Sequence, residues 1–236
     1  MKKSKMLLLF LSIVYIFIFV DNYIKNPHYR LADYIKSNKY RKQLKIYEKV
    51  YPNSIAVKYY NELKSKYSKD EIKSVKIDID ILDNIVKDHR LKNPDLNIDE
   101  KTAVVHLRTG DVIDNTFIPV KKFVYGKMMK YTNGYNYVKN KEYYDVKIQK
   151  LKKLNVDKVL FCSGTHASFF TFKSKEYIRE IGKIFKKEGF EVSIRLNKPA
   201  DDDFALMSGS KIFIPSGGIF SNLISKIVIK NNGNVL

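Results

Sequence analysis

The chain has 236 residues, enough for one medium domain or two small ones. It is 44% hydrophobic and 29% charged, with ten Gly and six Pro, which excludes a collagen, a coiled-coil rod and a wholly disordered chain. The single cysteine, Cys162, excludes an intrachain disulfide framework and a Cys-rich zinc site, and four scattered histidines argue against a His-based metal cluster.

Lys and Arg number 44 against 25 Asp and Glu, a net charge of +19. Only six of the 44 are Arg, at positions 30, 41, 90, 108, 179 and 195. Proteins that read bases or grip phosphates geometrically lean on Arg, whose planar fork matches those groups. A Lys excess spread evenly beside many Asn, Ile and Tyr reads first as the codon bias of an AT-rich genome. No nucleic acid is expected as a partner, since neither a recognition motif nor a stacking platform accompanies the charge. Attraction to an anionic membrane, polymer or substrate is the other reading of the excess.

Met1 to Lys5 carries three lysines, and the fifteen residues Met6 to Val20 carry no charge until Asp21, Asn22 and Lys25 end the run. As a helix such a run covers about 22 Å, short of the roughly 30 Å hydrocarbon core of a bilayer. It reads as a signal-peptide core or as a short anchor with snorkelling lysines. Residues 16 to 26 contain no Ala, Gly or Ser to form a cleavage site, so an uncleaved signal anchor is the favoured reading. Lys2, Lys3 and Lys5 favour a cytosolic N-terminus, although Lys25, Arg30, Lys36 and Lys39 on the other flank weaken the bias. The expectation is a single-pass type II membrane protein held by residues 6 to 20.

Three regions follow: a tail and anchor over 1–26, a helical stem over 27–100, and an α/β lobe over 101–236. All ten glycines lie at or beyond Gly110, which marks the change of architecture. From Leu31 to Lys66 the spacing of Leu31, Tyr34, Ile35 and then Leu44, Tyr47, Val50 predicts two helices broken at Tyr51-Pro52-Asn53. Residues 67–100 are charged, with apolar and charged side chains interleaved from Val75 to Val86. Beyond them, strands are predicted at Thr102–Arg108, Asp157–Cys162, Phe190–Leu196 and Lys211–Ile214. Helices are predicted between and after them at Glu142–Leu154, Ser174–Lys187, Asp201–Ser208 and Gly217–Lys230. Apolar strands separated by amphipathic helices imply a Rossmann-like lobe, a parallel sheet covered by helices. Asp201, Asp202 and Asp203 after Pro199 suit a helix N-terminus, where the dipole favours anions. Residues 109–141 read as a long loop, of the kind that is functional or mobile.

Two spots carry chemistry, each at the carboxyl end of a predicted strand, the edge at which an open α/β sheet binds ligands. In His106-Leu107-Arg108-Thr109-Gly110-Asp111, strand alternation points His106 and Arg108 the same way before the chain breaks at Gly110. Arg108 is the only Arg between 90 and 179, so a bidentate fork is expected to meet a pyrophosphate or an internal carboxylate, with Asp111 nearest to orient it. The bland alternative is an Arg–Asp pair that pins a loop. In the second spot, an apolar strand runs into Pro215-Ser216-Gly217-Gly218 and a helix follows at once. Glycines there allow close backbone approach, the helix start offers N–H groups to an anion, and Ser216 and Ser221 add hydroxyls. Packing alone also produces such turns, and neither a Walker loop nor a six-residue dinucleotide fingerprint is present.

Together the spots resemble a known family. The segment VVHLRTGDVI, residues 104–113, resembles the H-x-R-x-G-D motif of the GDP-fucose-dependent fucosyltransferases, which group the α1,2-, α1,6- and protein O-fucosyltransferases. The stretch from Asp203 to Ser216, continuing into GGIFSNLI, is similar to that family's later motif. The resemblance covers residues 102–230 and implies a two-lobed glycosyltransferase-B arrangement with the nucleotide in the C-terminal lobe. It implies that Arg108 contacts the β-phosphate and assists departure of GDP, and that Asp203 and the Ser216–Gly218 turn belong to the GDP site. A nucleotide-sugar donor and a glycan or protein acceptor are the implied partners. No cofactor and metal-independent turnover are expected, since Arg108, the Ser216-Gly217-Gly218 turn and the helix start after it can balance the leaving pyrophosphate.

The sequence departs from the family in two ways: only about 75 residues separate the anchor from the motif strand, and the last turn is Ser-Gly-Gly instead of Ser/Thr-rich. The acceptor lobe is accordingly reduced, helical or supplied by a partner. Ser163, Gly164 and His166 follow the second strand on the same edge and are candidates for touching donor or acceptor. The spelling Asp201 to Asp203 resembles a metal motif, but its place at a helix start favours capping. Asp111, His106 and Glu142 are candidate bases for the acceptor hydroxyl. A non-catalytic, anchored binding protein on the same fold is the competing function.

Overall fold

The computed structural model describes residues 31, 32, 35, 48, 49, 51–75, 77–127, 137–164 and 171–236. The expected anchor at residues 6–20 and His166 lie outside them. Among the described residues, no helix is long and apolar enough to cross a membrane.

Helix α1, Ile55–Lys66, starts where Ser54 Oγ accepts the backbone N–H of Val57. A single turn, α2 at Glu71–Ser74, precedes α3 at Ile79–Lys92. Asp78 caps α3 by accepting the N–H groups of Asp80 and Ile81. This helix lies in the interleaved stretch. The alternation of Val75, Ile77, Ile79 and Ile81 hides the helical spacing of Leu82, Ile85 and Val86, whose side chains are buried.

From residue 101 the chain alternates. It runs β1 (Thr102–Arg108), α4 (Asp111–Asp114), α5 (Val120–Tyr125), α6 (Lys141–Lys153), β2 (Lys158–Gly164), α7 (Phe172–Lys187), β3 (Glu191–Leu196), α8 (Ala200–Ser208), β4 (Ile212–Ile214), α9 (Gly218–Lys230) and β5 (Asn234–Val235). The expected loop at 109–141 thus contains α4 and α5, helices of four and six residues that are too short to show a period. All strand pairs are parallel, and the sheet order is β3-β2-β1-β4-β5. That is the order of a Rossmann-like sheet.

Alternation along the strands divides the core in two. One face of the sheet sends Ala103, Val105, Leu107, Val159, Phe161, Ile212 and Ile214 into a cluster with α5, α6 and α7. The other sends Val104, Cys162 and Phe213 into a cluster with α1, α3, α8 and α9. Leu31, Ala32 and Ile35 belong to this second cluster, so the stem region packs on the lobe as part of its helical layer. Gly182 lets α7 lie close to the sheet, with Phe161 and Val192 directly beneath it.

Candidate functional site

Strand order reverses beside β1, whose two neighbours β2 and β4 lead the chain to opposite edges of the sheet. A crevice opens outside the carboxyl ends of the strands at such a reversal. Both motif segments arrive there. In register, Val105 faces Ile214, so His106 and Arg108 at the end of β1 stand beside the turn that leaves β4.

His106 joins the two segments. Its Nδ1 lies 2.6 Å from Ser221 Oγ and 3.0 Å from Ser216 Oγ, and the two hydroxyls are 3.4 Å apart. Both serines are buried, and the Phe220 ring lies 5.5 Å from the imidazole. One hydroxyl donates to Nδ1 when that nitrogen is bare, and Nδ1–H donates when it is protonated. Arg108, two residues on and on the same face, donates from a terminal nitrogen to Asp111 Oδ1 at 2.7 Å. The pair is partly open to solvent, with 18% of the Arg108 side chain and 37% of Asp111 exposed. Asp111 therefore holds the guanidinium from within the turn that follows β1.

Gly110 makes the turn between them at φ +76°, a conformation that disfavours a side chain. Its N–H donates to Ser174 Oγ at 2.9 Å, while Ser174 donates its hydroxyl to Asp114 Oδ2 and its N–H to Asp114 Oδ1. The loop after β1 is thereby fastened to the first turn of α7. Ser163 has a different place from the one expected. It pairs in register with Leu107, on the opposite face from His106 and Arg108. Its buried hydroxyl donates to Leu107 O at 3.0 Å and meets Thr109 Oγ1 at 2.7 Å, while Thr109 donates to Gly164 O at 2.8 Å. Ser163 stitches the ends of β1 and β2 together and does not reach the crevice. Gly164 faces Arg108 in register.

The glycine turn holds Gly217, the residue before α9, at φ +100° and Gly218, its first residue, at φ +78°. The space over it is occupied. A Cβ on Gly217 would lie 2.9 Å from Tyr137 Cδ1, so the close approach the glycines permit is that of the tyrosine ring. Tyr143 adds a second contact by donating its hydroxyl to Pro215 O at 2.7 Å, and burial pushes that hydroxyl's pKa up to about 12. Lys139 and Lys147 lie over the Tyr143 ring at 5.2 and 4.9 Å. Tyr137 and Tyr143 were not singled out in the sequence; the cluster of tyrosines between 125 and 144 was the available signal.

The three aspartates of α8 diverge. Asp201 Oδ2 accepts the N–H of Ile55 at 2.9 Å and so caps α1, not its own helix. Asp202 Oδ1 meets His89 Nε2 at 2.8 Å. Asp203 accepts Arg195 Nε at 2.6 Å and is almost fully buried, 2% exposed. Burial outweighs the attraction of Arg195 and raises its pKa to about 6. One expectation is corrected here. None of the three side chains caps α8, because each is taken by a distant element. Asp203 is paired with Arg195 on β3. Glu142 is exposed in the first turn of α6, on the sheet face opposite His106. Among the described residues, no group of three or more His, Cys, Asp or Glu is placed to hold a metal.

No protein-family model matches the chain, and no curated protein matches it. Among solved structures it is similar to POFUT1 in complex with GDP, at 14% identity and a TM-score of 0.38 over 62% of this chain and 46% of that one. POFUT1 in complex with GDP-fucose aligns at 13% identity and 0.38 over 62% and 44%, and its apo form at 14% and 0.39 over 65% and 47%. The chain spans less than half the length of these structures.

Proposed function

We propose that the chain is a glycosyltransferase that binds a nucleotide-diphosphate sugar in the crevice between β1 and β4. One observation supports this reading: His106 is bonded to Ser216 and Ser221, which ties the strand that carries Arg108 to the Ser216-Gly217-Gly218 turn at the point where strand order reverses. A leaving pyrophosphate needs fixed positive charge and N–H donors. The Arg108 fork and the N-terminus of α9 are groups of that kind.

In the proposed step, the oxygen of an acceptor hydroxyl bonds to the anomeric carbon from the side opposite the leaving group. The bond from that carbon to the phosphate oxygen breaks, its electron pair leaves on the nucleotide diphosphate, and the hydroxyl proton passes to a base. Arg108 takes up the charge that develops on the phosphate, and Asp111 acts as its positioning residue. The donor is GDP-fucose in this reading, supported by the H-x-R-x-G-D spelling at 106–111, and turnover needs no metal ion. The acceptor is a glycan or protein hydroxyl. The uncharged run at 6–20 tethers the enzyme to a membrane as an uncleaved type II anchor. The tether is checked by carbonate extraction of membranes: the full chain is expected to stay in the pellet, and a mature N-terminus beyond Val20 would overturn it.

Tyr137 over the glycine turn favours a second reading, an anchored binding protein on the same fold that no longer transfers sugar. Thermal-shift measurements with GDP, UDP, ADP and inorganic pyrophosphate test the proposal. A shift selective for GDP and lost in Arg108→Lys is expected. The same shift without transfer from GDP-fucose to any acceptor glycan would favour the second reading, and no shift with any nucleotide would contradict the transferase and leave the second reading only as a glycan-binding protein.

A further inference from the structure

Two phenylalanines stand in solvent on the carboxyl edge of the sheet. Phe117, in the turn after α4, is fully exposed, and Phe172, the first residue of α7, is 76% exposed. Single exposed apolar side chains are common, whereas exposed rings gathered on one rim form the kind of patch that marks a contact surface.

The projection of Phe117 is built. Lys173 sends its ammonium to the carbonyls of Thr116 and Ile118, on either side of Phe117, and the Ile118 N–H donates to Thr116 Oγ1 at 3.0 Å. Since Lys173 follows Phe172 directly, this bridge also sets the two rings on neighbouring parts of one rim. The segments that carry the two rings also carry exposed cations. Lys121 and Lys122 on α5, Lys127 beyond it, and Lys175 and Arg179 on α7 are all exposed. Half-exposed Tyr125 on α5 adds an aromatic ring with a polar tip, its hydroxyl 3.4 Å from Glu180. Glu180 is in turn paired with Lys183 and Arg179. The rim is therefore aromatic at its tip and positive around it.

We infer that this rim, with Phe117 and Phe172 at its tip, is a contact surface for an anionic lipid bilayer. The charge pattern selects the occupant. Lysines and arginine beside apolar rings match the layered chemistry of a membrane surface, where headgroups carry negative charge above hydrocarbon. A projecting ring on a convex turn suits insertion between lipids, whereas a protein partner would have to supply a pocket for it. The contact is separate from the uncharged run at 6–20, and it does not rest on the proposed chemistry. Its location has a consequence, because Phe172 lies two residues from Ser174, which holds Gly110 of the Arg108 segment. The crevice would open along the bilayer surface, where a membrane-bound acceptor is presented.

The chain contains no tryptophan, so a single introduced indole reports on one place. Phe117→Trp and Phe172→Trp are made in the full chain, with Leu91→Trp as control, since Leu91 is 79% exposed on α3 in the opposite helical layer. Each is reconstituted in vesicles of phosphatidylglycerol and phosphatidylcholine, and in phosphatidylcholine alone. Both rim reporters are expected to shift to the blue and to be quenched by lipids brominated about 5–10 Å below the surface, while the control is not. The quenching is expected to weaken in the neutral vesicles. Rim reporters that emit like the control, or a control quenched as strongly as they are, would overturn the assignment. Equal quenching in neutral vesicles would overturn the part given to the lysines.

Discussion

His106 on β1 and Ser221 on α9 stand 115 residues apart in the chain, and their side chains meet at 2.6 Å. The bond ties the end of the central strand to the first turn of the last long helix. Ser221→Ala leaves His106 with Ser216 as its hydroxyl partner in this joint and deletes a buried donor. A loss of about 1–2 kcal/mol is expected, as for other buried hydrogen bonds. In a chain of this size that corresponds to a fall in melting temperature of about 2–8 °C. An unchanged melting curve would mean that the joint contributes nothing to stability.

Gly217 and Tyr137 form a second joint, which a double-mutant cycle can resolve. Gly217→Val meets two obstacles: a backbone at φ +100° and the Tyr137 ring 2.9 Å from the new Cβ. The backbone strain costs about 1–3 kcal/mol wherever the ring lies. The steric part depends on Tyr137, so Tyr137→Ala is expected to recover about 1–2 kcal/mol of the loss, measured by urea unfolding of all four proteins. Strict additivity would show that the ring moves aside without cost.

Asp203 makes stability depend on pH. Its folded pKa is raised to about 6 by burial, above the ordinary value of 3.8, so the folded state holds the proton more tightly than the unfolded chain. Its contribution is fully present below about pH 4 and is lost as pH rises through about 6. In Asp203→Asn this slope disappears. The stability of wild type relative to the variant is expected to fall between about pH 4 and pH 6, by about 1.4 kcal/mol for each unit of the raised pKa. Chemical denaturation of both proteins across that range checks it. A difference that grows with pH would show that Arg195 dominates the carboxylate.

Much of this architecture is legible in the residues. The predicted strand Thr102–Arg108 is β1 as it stands, because five apolar or β-branched residues precede a glycine turn. The helix ending at Lys187 is equally plain, since Tyr177, Ile178, Ile181 and Phe185 repeat at helical spacing and all reach the core. What the residues do not show is where long-range partners lie. Asp201, Asp202 and Asp203 are adjacent and chemically identical, and only the packing of α8 against α1, α3 and β3 decides that each serves a different element. Ser163 reads as a ligand contact until register places it opposite Leu107. Tyr137 sits in a stretch with no periodicity, and its place over Gly217 follows from the fold of α6 against the turn.

In the proposed reaction, Arg108 and the turn at 216–218 neutralise a leaving pyrophosphate without a metal. Sugar release or transfer from GDP-fucose, measured in excess EDTA for wild type and Arg108→Lys, tests it most directly. The lysine keeps the charge but loses the fork held by Asp111. Wild type is expected to turn over donor in EDTA, and the variant to be slower by at least about a hundredfold, roughly 3 kcal/mol of transition-state stabilisation. Activity that vanishes in EDTA and returns with magnesium or manganese, or a variant as fast as an active wild type, would contradict this role for Arg108 and the turn.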